Sequence, residues 1–318
     1  MADLKTKKPD HGGGVDAAAL KYGGMRSDWI DLSTGINPNA YAIGTLAADT
    51  WTALPDRVAQ EALTDSARSF WQVPDGAAVL ATAGASAPIA MIPRLLPAAQ
   101  VHIAAPTYNE HAAAFRAARW SVGGDPTTAN AQVIVHPNNP DGRLFTEDDL
   151  AAPLRIIDES FCDVIPTASL IAQSATPGTL VLKSFGKFWG LAGLRLGFVI
   201  GDPELVVRLE QMLGPWPVAG PALDIGARAL NDPDWAHRTR QSLATDAARL
   251  DGLTLAAGAS LVGGTTLFRL YDVPDASLWQ DRLARHRIWS RVFPYNDRWL
   301  RLGLPASRHW HRLEAALA

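Results

Sequence analysis

Cysteine is nearly absent from this chain: Cys162 is the only one in 318 residues. A single thiol cannot form an intramolecular disulfide or supply a cysteine-based metal cluster, and the scarcity fits a reducing compartment. No metal site is expected. An excess of charge of one sign is missing too. The chain has 29 Lys and Arg against 32 Asp and Glu, a formal net charge of -3, and lacks any run of basic residues. That balance argues against nucleic acid or a membrane surface as the main partner. No apolar stretch approaches the length of a membrane span, and Met1 to Asp16 holds no apolar segment of signal-peptide type. The expectation is a cytoplasmic protein acting on small molecules. Internal repeats and low-complexity tracts are lacking as well. His309 and His311 lie two apart and would diverge on a helix, so they read as surface residues and not as joint metal ligands.

What is present is enough apolar sequence, 47%, for one large core and a smaller second one. Residues 1–50 read as a polar arm with three adjacent glycines, Gly12 to Gly14. Residues 51–214 alternate short apolar strands with helical stretches, which predicts an α/β domain with a mostly parallel sheet sandwiched by helices. The prolines and glycines of Leu213 to Pro221 predict a hinge. Residues 215–318 then read as a smaller α+β domain. It has a helix over Trp235 to Ala257, strands at Thr265 to Tyr271, Ile288 to Phe293 and Trp299 to Leu302, and a closing helix from His309.

The densest signal is Ser184-Phe185-Gly186-Lys187-Phe188-Trp189-Gly190-Leu191-Ala192-Gly193-Leu194-Arg195-Leu196-Gly197, which follows the strand-like run Thr179 to Leu182. Glycines permit turns that side chains forbid, and Arg195 offers a planar fork suited to a phosphate. A lysine combined with a phosphate clamp suggests a Schiff-base cofactor, pyridoxal 5'-phosphate. Upstream, Leu154 to Asp158 reads as a buried strand ending in a carboxylate, and Val133 to Val135 leads into the turn His136-Pro137-Asn138-Asn139-Pro140-Asp141-Gly142. Ala78 to Ala83 is a short strand running into Gly84-Ala85-Ser86 and the helix-like stretch Ile89 to Leu96. Strand, glycine and helix start make an anion site, in which Ser86 either contacts the anion or caps the helix. The strand Val101 to Ala105 ends in Pro106-Thr107-Tyr108-Asn109-Glu110-His111.

The Ser-Phe-Gly-Lys-x-x-Gly-Leu-Ala-Gly-Leu-Arg-x-Gly string resembles the cofactor-lysine signature of fold-type I pyridoxal phosphate enzymes. The branch it resembles contains histidinol-phosphate aminotransferase and the threonine-phosphate decarboxylases of cobalamin biosynthesis. His11-Gly12-Gly13, Asp31-Leu32-Ser33-Thr34-Gly35-Ile36-Asn37-Pro38, Gly214-Pro215-Trp216 and Leu300-Arg301-Leu302-Gly303-Leu304-Pro305 look like the decarboxylases. The resemblance implies an aminotransferase-like fold and gives roles to the matching residues. Lys187 would bond the cofactor, Asp158 would keep its ring nitrogen protonated, Asn139 would donate to its ring oxygen and Tyr108 would stack on it. Gly84, Ala85, Ser86, Ser184 and Arg195 would hold its phosphate end. His11, Gly35, Asn37, Arg291 and Arg301 would receive a small phosphorylated amino acid.

The resemblance further implies a homodimer and a reaction, decarboxylation of L-threonine O-3-phosphate to (R)-1-amino-2-propanol O-2-phosphate. A histidinol-phosphate-type aminotransferase and a cofactor-binding homologue without activity are the alternatives. The chain departs from the wider family at three places. Phe161 stands where aminotransferases usually have tyrosine, and Ala87 and Pro88 replace an acidic or amide residue. Leu54 replaces a tyrosine that in many relatives reaches the neighbouring subunit's cofactor phosphate.

Overall fold

The structure is a computed structural model and describes residues 11–318; residues 1–10, the beginning of the expected arm, lie outside the described residues. The arm leads through α1 (Val15–Tyr22), the short strand β1 (Ile30–Asp31) and α2 (Asp49–Thr52) to α3 (Arg57–Phe70). Asp56 starts α3, its carboxylate accepting the Ala59 N–H at 2.8 Å.

The large sheet contains β2 (Ala78–Thr82), β3 (Gln100–Ile103), β4 (Ser121–Val122), β5 (Ala131–Val135), β6 (Leu154–Asp158), β7 (Thr179–Ser184) and β8 (Gly197–Gly201). Its strand order is β2-β8-β7-β6-β5-β3-β4. Every neighbouring pair is parallel except the two that β8 makes. Successive side chains of a strand face opposite ways, so a sheet covered on both sides needs apolar residues at consecutive positions. Ile156 and Leu182 accordingly join the core formed with α4 (Ser86–Met91), α5 (Asn109–Ala117) and α6 (Pro203–Leu213). Their neighbours Ile157 and Val181 join the core on the other face, with α3 and α7 (Gly220–Leu230). The helix expected over Ile89 to Leu96 is shorter: α4 ends at Met91 and a 3-10 turn, Ile92–Arg94, follows, because Pro93 has no N–H to continue the ladder.

Beyond α8 (Pro233–Ala256), the smaller sheet is antiparallel with order β12-β13-β10-β9: β9 (Ser260–Thr265), β10 (Phe268–Asp272), β12 (Arg291–Phe293) and β13 (Asn296–Gly303). The single strand expected over Thr265 to Tyr271 is really the end of β9, a turn and most of β10. Thr265 Oγ1 accepts the Leu267 N–H at 3.1 Å and helps turn the chain there. The run Ile288 to Phe293 also divides. β11 (Ile288–Trp289) pairs in parallel with β1, and β12 pairs with β13. Helices α9 (Ala276–Arg285) and α10 (Trp310–Leu317) complete the chain. Among the described residues no helix is long and apolar enough to cross a membrane.

Candidate active site

The register of the large sheet places Val135, Asp158 and Leu182 side by side, and Ser184 beside Gly197 and Thr82. The loops leaving these strand ends therefore open at one edge, the carboxyl edge where ligands of open α/β sheets bind. A cavity of about 160 Å³ there has Ala85, Ser86, Tyr108, Asn139, Asp158 and Lys187 among its lining residues, together with Phe161, Ser184 and Arg195. Gly84 does not line it but lies just behind. At φ +75° it leaves room for Arg195, whose Nη2 would sit 2.5 Å from a Cβ at that position.

Lys187 Nζ donates to the Thr34 carbonyl at 3.2 Å and lies over the Phe161 ring at 5.1 Å. Burial, followed by the positive charge of Arg301, lowers its ammonium to about 8. Roughly a tenth of it is then neutral amine at pH 7, far more than for an ordinary lysine. Asp158 is buried. Burial pushes its carboxyl up, but the hydrogen bonds from His111 and Ser160 outweigh this and hold it below the usual range. His111 Nε2 is 2.8 Å from Oδ2, and the Ser160 N–H donates to Oδ1 at 3.0 Å. Tyr108 has its hydroxyl pushed up to about 12 by burial and by Asp158, and stays protonated.

His111 was not singled out from the sequence. It lies in the first turn of α5, three residues after Tyr108, whose ring it meets edge-on at 6.0 Å, and that spacing was the available signal. The adjacent acid behaves differently. Glu159 faces away from the cavity and accepts from Lys183 Nζ at 2.5 Å and from Ser169 Oγ at 2.7 Å. Burial pushes Lys183 down, yet Glu159 and Asp163 more than offset this and its net shift is upward. Asp163 also accepts the indole N–H groups of Trp71 at 2.9 Å and Trp189 at 3.2 Å. One buried ionic cluster thus anchors both the strand end beside Asp158 and the loop beyond Lys187. His136, Glu159 and Cys162 come within metal-ligating range of one another. Their atoms are committed elsewhere: His136 accepts the Phe145 N–H and contacts the Ala168 carbonyl, and burial raises the Cys162 thiol.

A second cavity, of about 170 Å³, shares Tyr108 and Asn139 with the first and is lined by His11, Arg291 and Arg301. Arg291 and Arg301 are directly opposed across the β12–β13 pair. Like charges in that arrangement repel. Burial, with Arg291 next, lowers Arg301 to about 10. Its Nη1 donates to Asn139 Oδ1 and its Nη2 to the Ser33 carbonyl, while Nε, buried, has no partner. Because Asn139 Oδ1 is taken, its amide N–H₂ remains for the first cavity. Asn138 is turn structure: it donates to Asp141 Oδ1 at 2.8 Å and to the Pro106 carbonyl at 2.9 Å. The turn presses on β9, where a Cβ on Gly142 would lie 2.1 Å from the Gly264 carbonyl oxygen.

Two of the residues expected to receive substrate line neither cavity. Asn37 donates to the Phe188 carbonyl at 2.8 Å and accepts from the Asn39 N–H at 2.9 Å, so its side chain holds the lysine loop. Gly35, at φ +61°, packs against the Phe268 and Phe161 rings, which a Cβ would meet at 3.1 and 3.4 Å.

The profile of the aminotransferase class I and II family matches residues 125–318, and the chain belongs to that family. Within it, the chain is 39% identical to a threonine-phosphate decarboxylase from Sinorhizobium sp over 97% of each chain. It is 37% identical to one from Pseudomonas aeruginosa, again over 97% of both. Among solved structures, a histidinol-phosphate aminotransferase from Sinorhizobium meliloti in complex with pyridoxal-5'-phosphate has a TM-score of 0.83 at 18% identity, covering 100% of this chain and 98% of that one. L-threonine-O-3-phosphate decarboxylase from Porphyromonas gingivalis has a TM-score of 0.73 at 17% identity, covering 90% and 97%. The two structural likenesses establish the fold.

Proposed function

We propose that this protein is a pyridoxal phosphate-dependent decarboxylase of L-threonine O-3-phosphate in cobalamin biosynthesis, releasing CO₂ and (R)-1-amino-2-propanol O-2-phosphate. The observation that carries this reading is the pairing of the Lys187–Asp158 cavity with a neighbouring cavity lined by His11, Arg291 and Arg301. Near-full-length similarity to two threonine-phosphate decarboxylases supports the particular substrate.

The donor set fits the cofactor: an amine for its aldehyde, a carboxylate for its ring nitrogen, an amide N–H₂ for its ring oxygen and an aromatic wall. When bound, pyridoxal phosphate supplies a protonated ring that draws electrons away from the substrate's α-carbon. Asp158 holds the proton on the ring nitrogen, and His111 and Ser160 hold Asp158. Ser86, Ser184 and Arg195 are placed for the cofactor's phosphate. Arg301 takes the substrate's carboxylate, and Arg291 and His11 take its phosphate. The bond from the α-carbon to the carboxylate breaks, CO₂ leaves, and Lys187 Nζ delivers a proton to the α-carbon.

We further propose a homodimer in the cytoplasm. The apolar side chains Trp51, Leu54, Val58 and Trp216 are exposed, and the first turn of α3 and Trp216 line a common groove. The lone, buried Cys162 supports a reducing setting.

The test is product analysis by mass spectrometry after incubating the cofactor-loaded protein with L-threonine O-3-phosphate and 2-oxoglutarate together. Aminopropanol phosphate without glutamate is the expected result. Glutamate with a keto acid would make the protein an aminotransferase, and the absence of both products together with visible cofactor absorption would leave a binding protein.

A further inference from the structure

Glu110 belongs to the Pro-Thr-Tyr-x-Glu string, yet the reaction above gives it no task. It sits in the first turn of α5, and its Oε1 is 2.7 Å from His11 Nε2, with both side chains roughly one-third or more exposed. His11 is held from the opposite side as well, because Arg291 Nη1 donates to its carbonyl. The arm just after this contact is fixed: the Gly13 N–H donates to Ser33 Oγ at 2.6 Å and the Trp289 indole donates to the Gly13 carbonyl at 2.8 Å. His11 is therefore not free to swing toward a ligand while its ring nitrogen is engaged by Glu110.

The cavity it borders is lined by His11, Arg291 and Arg301, and neither Asp nor Glu is among its lining residues. Glu110 is the carboxylate standing at its rim. Its field reaches the cavity wall, since it helps raise the hydroxyl of Tyr108, a residue shared by both cavities. A phosphate entering here meets a like charge that already occupies one of the available donors.

We propose that Glu110 is an affinity-setting residue: a built-in competitor that occupies His11 and opposes anions in the second cavity, keeping the grip on phosphate monoesters weak enough for product to leave. This rests on the anion-binding role assigned to that cavity above. Such an arrangement trades affinity for turnover, the direction favoured when substrate and product carry the same phosphate.

The experiment compares cofactor-loaded wild type with Glu110→Gln, which keeps shape and removes charge, at fixed pH and ionic strength. The probe is inorganic phosphate, read both as inhibition of turnover and as a thermal shift. In Glu110→Gln the inhibition constant is expected to fall roughly three- to tenfold, with KM for the phosphorylated substrate falling in parallel. Glu110→Asp, which retains the charge, is expected to stay within about twofold of wild type. An unchanged or weaker phosphate affinity in Glu110→Gln overturns the inference and leaves Glu110 as a support for the arm. If wild type binds phosphate without turning over L-threonine O-3-phosphate, the functional reading fails, and the two thermal shifts still decide the role of Glu110.

Discussion

Lys187 carries most of the proposed chemistry, and its protonation gives the most direct test at the scale of single residues. Burial and Arg301 lower its ammonium to about 8. The neutral amine is the form that attacks an aldehyde, and its fraction grows as pH rises through the pKa. Stopped-flow absorbance of cofactor-free protein mixed with pyridoxal phosphate should therefore show capture accelerating through pH 7 to 9, with a midpoint near 8. An unperturbed lysine would place the midpoint near ~10.4, and a profile still climbing at pH 10 would contradict the assigned environment. Lys187→Ala should lose the visible absorption and at least ~10²-fold in turnover.

Much at this scale was legible in the sequence because the groups sit in short strings punctuated by glycine and proline. Asp158 closes an apolar run, Lys187 and Asn139 each follow one within a few residues, and the strand ends bring the three together. What escaped detection depends on contacts between distant segments. The pairing of Glu159 with Lys183 needs β6 and β7 in register, and the opposition of Arg291 to Arg301 needs the β12–β13 hairpin. Asn37 matched a motif, but only its hydrogen bonds to Phe188 and Asn39 reveal that it steadies a loop.

At the scale of elements, the turn bearing Asn139 and the strand β9 are packed backbone to backbone. Gly142, at φ +75°, would place a Cβ 2.1 Å from the Gly264 carbonyl oxygen, and Gly263 would place one 2.2 Å from that of Asp141. Gly142→Ala combines a strained backbone with a clash that no side-chain rotation relieves. Urea unfolding should show a loss of about 1–3 kcal/mol. The displaced turn should also weaken cofactor binding in an absorbance titration. A variant as stable as wild type would mean that the turn and β9 separate at little cost. The same region explains the misplaced strand boundaries: two consecutive glycines in β9 erase the alternation from which a strand is read, and a two-residue turn is too short to interrupt it.

At the scale of the whole molecule, the mostly parallel sheet and the smaller antiparallel sheet agree with the order of apolar runs in the chain. The proposed dimer would rest on the exposed apolar side chains of α2, the loop after it, α3 and the segment before α7. Trp51 is 69% exposed, Leu54 67% and Val58 70%, fractions that large apolar residues of an isolated globule rarely share in one region. Light scattering should give twice the chain mass for wild type and the chain mass for the double variant Leu54→Asp, Val58→Asp. A monomeric wild type at micromolar concentration would remove this part of the proposal. Leu54 carries no hydroxyl, so a neighbour's cofactor phosphate would gain no hydrogen bond from it.

Arg301 ties together three stretches of chain, through the Ser33 carbonyl, the Asn139 amide oxygen and its own strand β13. A guanidinium with so many structural obligations is a poor lever for anyone wishing to retune which amino acid the protein accepts. Replacing it would disturb the Asn139 amide at the first cavity along with the substrate contact proposed for it. If the proposed function holds, Arg291, at the more open rim, is the position where substitutions would redirect substrate choice while the central machinery stays aligned.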